Sequence, residues 1–254
     1  MKNYNSVLIT GGAQRIGASI LQYLAKRKYK IVAQYNKSEN EMKLIRKKVL
    51  EYNLDFHTIK YDFQNLNKLE NFFEKAKKKV GGIDILINNA SAFDFDTIKT
   101  SNFQTFDMHI NVNLKAPYFL SKYFSDSLGK NQKGLIINLL DQRVNNITPY
   151  FTSYTVSKYG LYALTKSLAL NLATKIRENG IAPGPTLKSK NQSVNQFNSQ
   201  VKRTPLMKQV KLDEINETVS YLINNLSITG QILTLDSGQS LGWSNTKSKK
   251  FEND

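Results

Sequence analysis

Short apolar runs alternate with amphipathic stretches along the whole chain. The apolar runs predict strands near residues 6–10, 30–35, 55–60, 84–88, 134–140, 176–181 and 231–235. Between them, helices are expected near 15–28, 39–52, 65–80, 102–127, 153–175 and 212–226. The last of these carries Leu212, Ile215, Val219, Leu222, Ile223 and Leu226 on one stripe, the spacing of a core-facing helix. Strand and helix in strict alternation predict βαβ units. The expected fold is one doubly wound α/β domain, a parallel sheet of about seven strands with helices on both faces and ligands at the carboxyl ends of the strands. No repeat, linker or break in composition divides it, so residues 1–243 are read as one domain and 244–254 as a disordered polar tail. The stretch 186–204, rich in Ser, Asn, Gln and Lys after Pro183-Gly184-Pro185, reads as a mobile loop over the ligand edge.

Composition narrows the classes. A chain of 254 residues with 40% hydrophobic and 22% charged residues is globular and large enough for a full core. Its longest apolar run, Leu135 to Leu140 broken by Asn138, is far short of the roughly 20 residues of a membrane helix. The apolar stretch near the N-terminus is too short for a signal peptide, so no membrane role and a cytoplasmic location are expected. Without cysteine there are no disulfides, thiolate nucleophiles or cysteine metal sites, and two histidines, His57 and His109, do not make a metal cage. The net charge of +16 raises nucleic acid as a partner, but it is carried by 30 Lys against 6 Arg, scattered among 27 Asn. Phosphate and base recognition favours Arg forks, so no specific nucleic-acid partner is expected.

Candidate chemistry begins just after the first strand. Thr10-Gly11-Gly12-Ala13-Gln14-Arg15-Ile16-Gly17 opens a helix, and glycines there let backbone amides approach a pyrophosphate. The second strand ends Gln34-Tyr35-Asn36-Lys37-Ser38 with no acid before Glu39. An NAD site would carry a carboxylate at that point for the ribose 2′-hydroxyl. Its absence, with Arg15, Lys37 and Ser38 as phosphate partners, points to NADPH.

At the other end of the expected cleft, Tyr154 and Lys158 stand four apart at the start of a helix and share a face. An ammonium beside a phenol lowers its pKa from about 10 toward neutrality and makes a usable acid. Tyr118 with Lys122 and Tyr162 with Lys166 repeat the spacing, but only Tyr154 begins its helix just past the carboxyl end of a strand.

Here the chain resembles the short-chain dehydrogenase/reductase family, from Val7 to Trp243. The resemblance rests on the glycine turn, Asp62, Asn88-Asn89-Ala90, Asn113, Tyr154-x-x-x-Lys158 and Pro183-Gly184. It implies a Rossmann-type domain in which Gly11, Ile16, Gly17, Tyr35, Asn36, Pro183 and Gly184 line the cofactor. It further implies that Asp62 contacts adenine, the Asn88 to Ser91 segment lines the cofactor, Asn113 holds a proton-relay water, and Lys158 binds the nicotinamide ribose while tuning Tyr154. Relatives of this kind are commonly tetramers, so a homotetramer is expected.

One position departs from that pattern. Where the family usually has a Ser that donates to a substrate carbonyl, this chain has Asp141. An ionised carboxylate only accepts; it repels a developing oxyanion and raises the Tyr pKa, yet it suits a ring rich in N–H donors. This, with Arg15, Ser91 and Phe93, resembles the pteridine reductases and the related dihydromonapterin and dihydrofolate reductases, in which the matching Phe stacks a pterin on nicotinamide. The catalytic set is then Tyr154, Lys158, Asp141 and Asn113, with Phe93, Ser91, Arg15, Asp141 and Tyr154 around the substrate. Arg143 stands where it can pair with Asp141, while His109 and Trp243 read as structural. The expected function is NADPH-dependent reduction of a pterin or folate ring. The alternatives are reduction of a small carbonyl or oxoacyl thioester, or, in another class, a non-catalytic NADPH-binding regulator.

Overall fold

The structure, a computed structural model, describes residues 4–190 and 192–242; Trp243 and the tail 244–254 lie outside the described residues. Seven strands form one parallel sheet: β1 Ser6–Ile9, β2 Lys30–Tyr35, β3 Phe56–Lys60, β4 Ile85–Asn88, β5 Gly134–Leu139, β6 Ile176–Pro183 and β7 Ile232–Leu235. Their order is β3-β2-β1-β4-β5-β6-β7, so the direction of winding reverses between β1 and β4. A ligand crevice belongs at that switch point, outside the carboxyl ends of the strands.

The central strands are buried on both sides, which is why they read as unbroken apolar runs. Side chains alternate between faces. Val7, Ile9, Ile85, Ile87, Leu135 and Ile137 pack on one side with α1 (Arg15–Lys26), α2 (Glu39–Leu50) and α8 (Leu212–Asn224). Leu8, Leu86 and Ile136 pack on the other with α3 (Leu69–Val80) and α5 (Ala116–Ser127). On that second side, under α6 (Thr152–Asn171), the sheet carries a buried polar ladder. Asn88 Nδ2 donates to Asn138 Oδ1 at 2.8 Å, and Asn138 Nδ2 donates to Thr165 Oγ1 at 2.9 Å and Glu178 Oε1 at 2.7 Å.

Two segments differ from the reading of the sequence. The helix expected over 102–127 is interrupted: α4 (Phe103–Ile110) passes through a π-helical turn, Asn111–Lys115, into α5. Pro117 has no N–H for the carbonyl of Asn113, so the α-helical ladder fails there and Ala116 N donates to Asn111 O, five residues back. The stretch read as a mobile loop, 186–204, contains a helix, α7 (Val194–Lys202). Ser193 and Gln196 form a capping box that starts it, and Phe197 anchors it. No described helix is long and apolar enough to cross a membrane.

Candidate active site

The glycine turn runs from the end of β1 into α1. Gly11 has φ +64°, and a Cβ on Gly17 would stand 2.2 Å from the Gly11 carbonyl oxygen, so a side chain fits at neither. Thr10 Oγ1 accepts from the backbone N–H groups of Asn89 and Ala90, at 2.9 Å each. Asn89 Nδ2 in turn donates to the carbonyls of Thr10 and Gly11. Gln34, buried in β2, accepts from Gly11 N at 2.8 Å and donates to Tyr61 O at 2.6 Å, fastening the turn to its neighbouring strands. No side chain caps the start of α1. Its leading N–H groups and the positive end of its dipole are therefore available to an anion.

Of the other expected cofactor residues, Tyr35, Asn36, Lys37 and Ser38 follow one another at the carboxyl end of β2, with Lys37 exposed. Ile16 packs on the core. Arg15, with φ +55°, spans the cleft: its guanidinium donates to the carbonyls of Lys188 at 2.8 Å and Leu187 at 3.0 Å. Asp62 accepts from Gln64 N at 3.0 Å, a local turn contact. Asn88 lies in the buried ladder, so the strand-end residues open to the cleft are Asn89, Ala90 and Ser91. Pro183 ends β6, and Gly184 N donates to Leu235 O.

At the end of β5 the second constellation assembles. Tyr154 Oη donates to Asp141 Oδ2 at 3.0 Å, and Lys158 Nζ donates to the carbonyl of Leu139 at 2.7 Å. Asn113, in the π turn, donates to Ser157 Oγ and to Ala92 O at 3.0 Å each and accepts from Ala92 N at 2.8 Å. Lys158 thus shares the neighbourhood of Tyr154, its Nζ 5.8 Å from the ring centre, while Asn113 reaches the helix of Tyr154 through Ser157. The electrostatics differ from the expectation of an acidified phenol. Burial, and then the Asp141 charge, push the Tyr154 hydroxyl well above its usual range. Burial also lowers Lys158 to about 8, against the opposing pull of Asp141. Desolvation outweighs the ammonium because Lys158 is itself buried, with its Nζ 5.8 Å from the Tyr154 ring centre. Arg143 does pair with Asp141: NH1 lies 3.4 Å from both carboxylate oxygens, and its backbone N–H donates to Oδ1 at 2.9 Å.

Phe93 stands over this group. It meets Tyr154 edge-on at 4.6 Å and stacks on Phe151 at 4.4 Å with 8° between the rings, while the Arg143 guanidinium lies 5.5 and 5.0 Å from their centres. Phe151, in the left-handed region at φ +59°, had not been singled out from the sequence; its N–H donates to Asp96 O at 2.7 Å. His109 was read as structural, and it braces this wall. Its Nε2 accepts from Asp94 N at 3.1 Å, so the ring proton sits on Nδ1 and goes to Ser153 Oγ at 2.6 Å. Ser153 then donates to Asp96 Oδ2 at 2.5 Å. Asp96 also accepts from Ser153 N, supplying from a distant loop the cap that Phe151 does not give α6. The chain of bonds fixes the 92–96 loop to the first turn of the helix bearing Tyr154.

This cleft holds an uncapped helix start at one end and, at the other, a phenol, an ammonium and a carboxylate beneath an aromatic face. Among the described residues no cluster of three or more His, Asp or Glu could hold a metal ion.

The short chain dehydrogenase family profile matches residues 5–199. A 3-oxoacyl-[acyl-carrier-protein] reductase FabG from Buchnera aphidicola is 30% identical over 94% of this chain and 98% of its own length. An oxidoreductase of Thermotoga maritima is 35% identical over 70% of this chain and 69% of its own. Among solved structures, FolM alternative dihydrofolate reductase 1 from Brucella canis, complexed with NADP, superposes with a TM-score of 0.91 at 37% identity, covering 97% of this chain and 98% of that one. Its counterpart from Brucella suis, also with NADP, gives the same score and identity.

Proposed function

Because the chain belongs to the short chain dehydrogenase family and is an oxidoreductase of Rossmann-type fold, we propose that it is an NADPH-dependent reductase of a pterin or folate ring. The observation that carries the reading is Asp141, a carboxylate accepting from Tyr154 at the point where a carbonyl substrate needs a donor. Arg143 and Lys158 keep that carboxylate in cationic company, and Phe93 offers a flat face beside it. A pterin ring has amino and ring N–H groups for a carboxylate and a surface for stacking. The NADP in the two FolM structures supports the choice of cofactor.

The residues present fit that cofactor. The amides of the first turn of α1 would take the pyrophosphate, and the acid-free end of β2, with Lys37 and Ser38, would take the 2′-phosphate. Bound NADPH supplies a hydride to a ring carbon. Tyr154 holds the proton destined for the neighbouring ring nitrogen, Asp141 orients both the phenol and the ring, and Lys158 keeps a positive charge beneath them. Asn113 fixes the Ala92 backbone and, through Ser157, the helix that carries Tyr154. A homotetramer in the cytoplasm completes the proposal. The apolar groove of about 430 Å³ between α5 and α6, lined by Tyr118, Phe119, Ala163 and Leu164 among others, supports self-association.

The test is a panel following NADPH and NADH oxidation with dihydropterins, dihydrofolate, ketones and oxoacyl thioesters. Dihydropterin or dihydrofolate should be the better substrate and NADPH the better donor, and Asp141→Ser should lower pterin turnover while sparing or raising ketone turnover. Efficient reduction of oxoacyl thioesters with no activity on any pterin or folate would leave only the family assignment standing.

A further inference from the structure

Three buried polar side chains close to Tyr154 take no part in the reaction proposed above: His109, Ser153 and Asp96. They form one hydrogen-bonded chain, and its protons have a single arrangement. The Asp96 carboxylate only accepts, so the Ser153 hydroxyl turns its proton toward it. Ser153 Oγ is then left to accept, and its partner is the Nδ1–H of His109. With that proton on Nδ1, Nε2 carries a lone pair, which accepts from the Asp94 backbone N–H. The chain therefore requires a neutral imidazole of one tautomer, and its two ends touch the ring site. Ser153 immediately precedes Tyr154, and Asp94 immediately follows Phe93.

His109 and Asn113 stand four residues apart and hold the backbone on either side of Phe93. Asn113 grips Ala92 by both its N–H and its carbonyl, whereas His109 grips Asp94 by its N–H alone. The first clamp is an amide and does not titrate; the second is an imidazole. A proton added to Nε2 would set one N–H against another across 3.1 Å, where a hydrogen bond now stands. Phe93 would then be tied on one side only, while Phe151, the ring it stacks on, stays bound to Asp96 O. Among the described residues, the charged groups facing the imidazole are the Asp94 and Asp96 carboxylates of the 92–96 loop. From α6 it faces the Ser153 hydroxyl and the Tyr154 ring, edge-on at 5.9 Å. The carboxylates favour the added proton, but burial opposes it and prevails, holding the imidazole below its ordinary 6.5.

Resting on the reading of the ring site given above, we infer that His109 is a positioning residue: as a neutral imidazole it holds Asp94 and so keeps Phe93 seated against Phe151 and Tyr154, and a proton on Nε2 releases that face. Affinity for the substrate ring then depends on pH through a buried group that touches neither substrate nor cofactor. Asn113 keeps Ala92 in place throughout, so the effect falls on the stacking face and not on the phenol.

The experiment follows steady-state kinetics on a dihydropterin at saturating NADPH, from pH 7.5 down to pH 5, in wild type, His109→Gln and His109→Leu. In wild type the pterin KM should rise about two- to twelvefold as pH falls below 6.5, the value of a lost stacking face, with kcat changing less. His109→Gln has an amide that can accept from Asp94 and donate to Ser153 but does not titrate, so its KM should stay near the neutral value throughout. His109→Leu makes neither bond and should show the raised KM at every pH. A wild-type KM that does not move, a rise that His109→Gln retains, or a His109→Leu KM equal to that of wild type at pH 7.5 overturns this inference alone. So does a His109 ring whose ¹⁵N NMR shifts place the proton on Nε2 at pH 7.5, a measurement that needs no variant to fold. Absence of turnover on every pterin and folate overturns the reading of the ring site instead, and the NMR measurement still decides the state of His109.

Discussion

Asp141, just past the end of β5, and Glu178, in neighbouring β6, are carboxylates near the same helix α6, and the protein treats them in opposite ways. Asp141 stands just past the end of its strand, with Tyr154 donating to it, Arg143 paired to it and Lys158 close by. Glu178 lies inside the sheet with one amide partner, Asn138, and an Oε2 that has none. Burial pushes Glu178 up to about 8, and the Asn138 bond opposes that only in part. Burial alone therefore makes a carboxylate that holds its proton and does nothing with it. Standing two residues beyond the end of β5, just past the last bond to β6 at Leu140, puts the other among cations, a phenol and an open cleft.

The largest expected effect breaks the open end of that pair. Tyr154→Phe removes the phenol that donates to Asp141 and should cut turnover by about a hundredfold or more, the range of a positioned acid, with NADPH affinity little changed. Tyr162→Phe, where Lys166 Nζ lies 5.3 Å from the ring, serves as the control and should be mild. Equal damage from both would show that helix position does not distinguish the two tyrosines. The next effect concerns the sealed end. The folded-state pKa of Glu178 is raised from 4.5 to about 8, so its contribution to stability is full below about pH 4.5 and is lost as pH climbs through 8. Glu178→Gln, which keeps an acceptor for Asn138 and cannot ionise, should remove this slope and gain on the order of 5 kcal/mol over wild type above pH 8. Denaturant unfolding at pH 5 and pH 9 measures it, and parallel stabilities for the two proteins would refute it. The smallest effect sharpens the picture of the open end. Phe93→Ala should raise the pterin KM about two- to twelvefold, the value of a lost stacking face, with little change in kcat; a fall in kcat of that size instead would assign Phe93 to the chemistry.

Much of this was legible in the sequence, and the gaps have physical causes. Strands stood within a residue or two of their predicted bounds because the central ones are buried on both faces and leave an unambiguous apolar signal. The helix α7 was hidden because a polar segment with one buried anchor, Phe197, has little periodicity to read; Ser193 and Gln196 at capping-box spacing were the available sign. Tyr154 and Lys158 were singled out by spacing and helix position, and Asn113 and Asp141 by their place in the family pattern, but the balance of charge around Tyr154 was not legible, since desolvation depends on packing that spacing does not encode. Gln34 and Glu178 belonged to no motif. Gln34 follows the apolar run Ile31-Val32-Ala33, an inconsistency that was itself a clue, whereas Glu178 stands between Arg177 and Asn179, and its burial had no sign in its neighbours.

The π turn at Asn111–Lys115 has a consequence for which changes this chain can survive. It holds one residue more than an α-helical turn, and deleting that residue would shift every later residue of the helix by one position. Doing so would rotate α5 by about 100° relative to α4. Leu120 and Phe124, buried against the sheet, would swing out of the core. The irregularity that turns Asn113 toward Ala92 and Ser157 is thus locked in by residues two and three turns away. Such a change would meet a folding penalty at once, so insertions and deletions should be rare between residues 103 and 127.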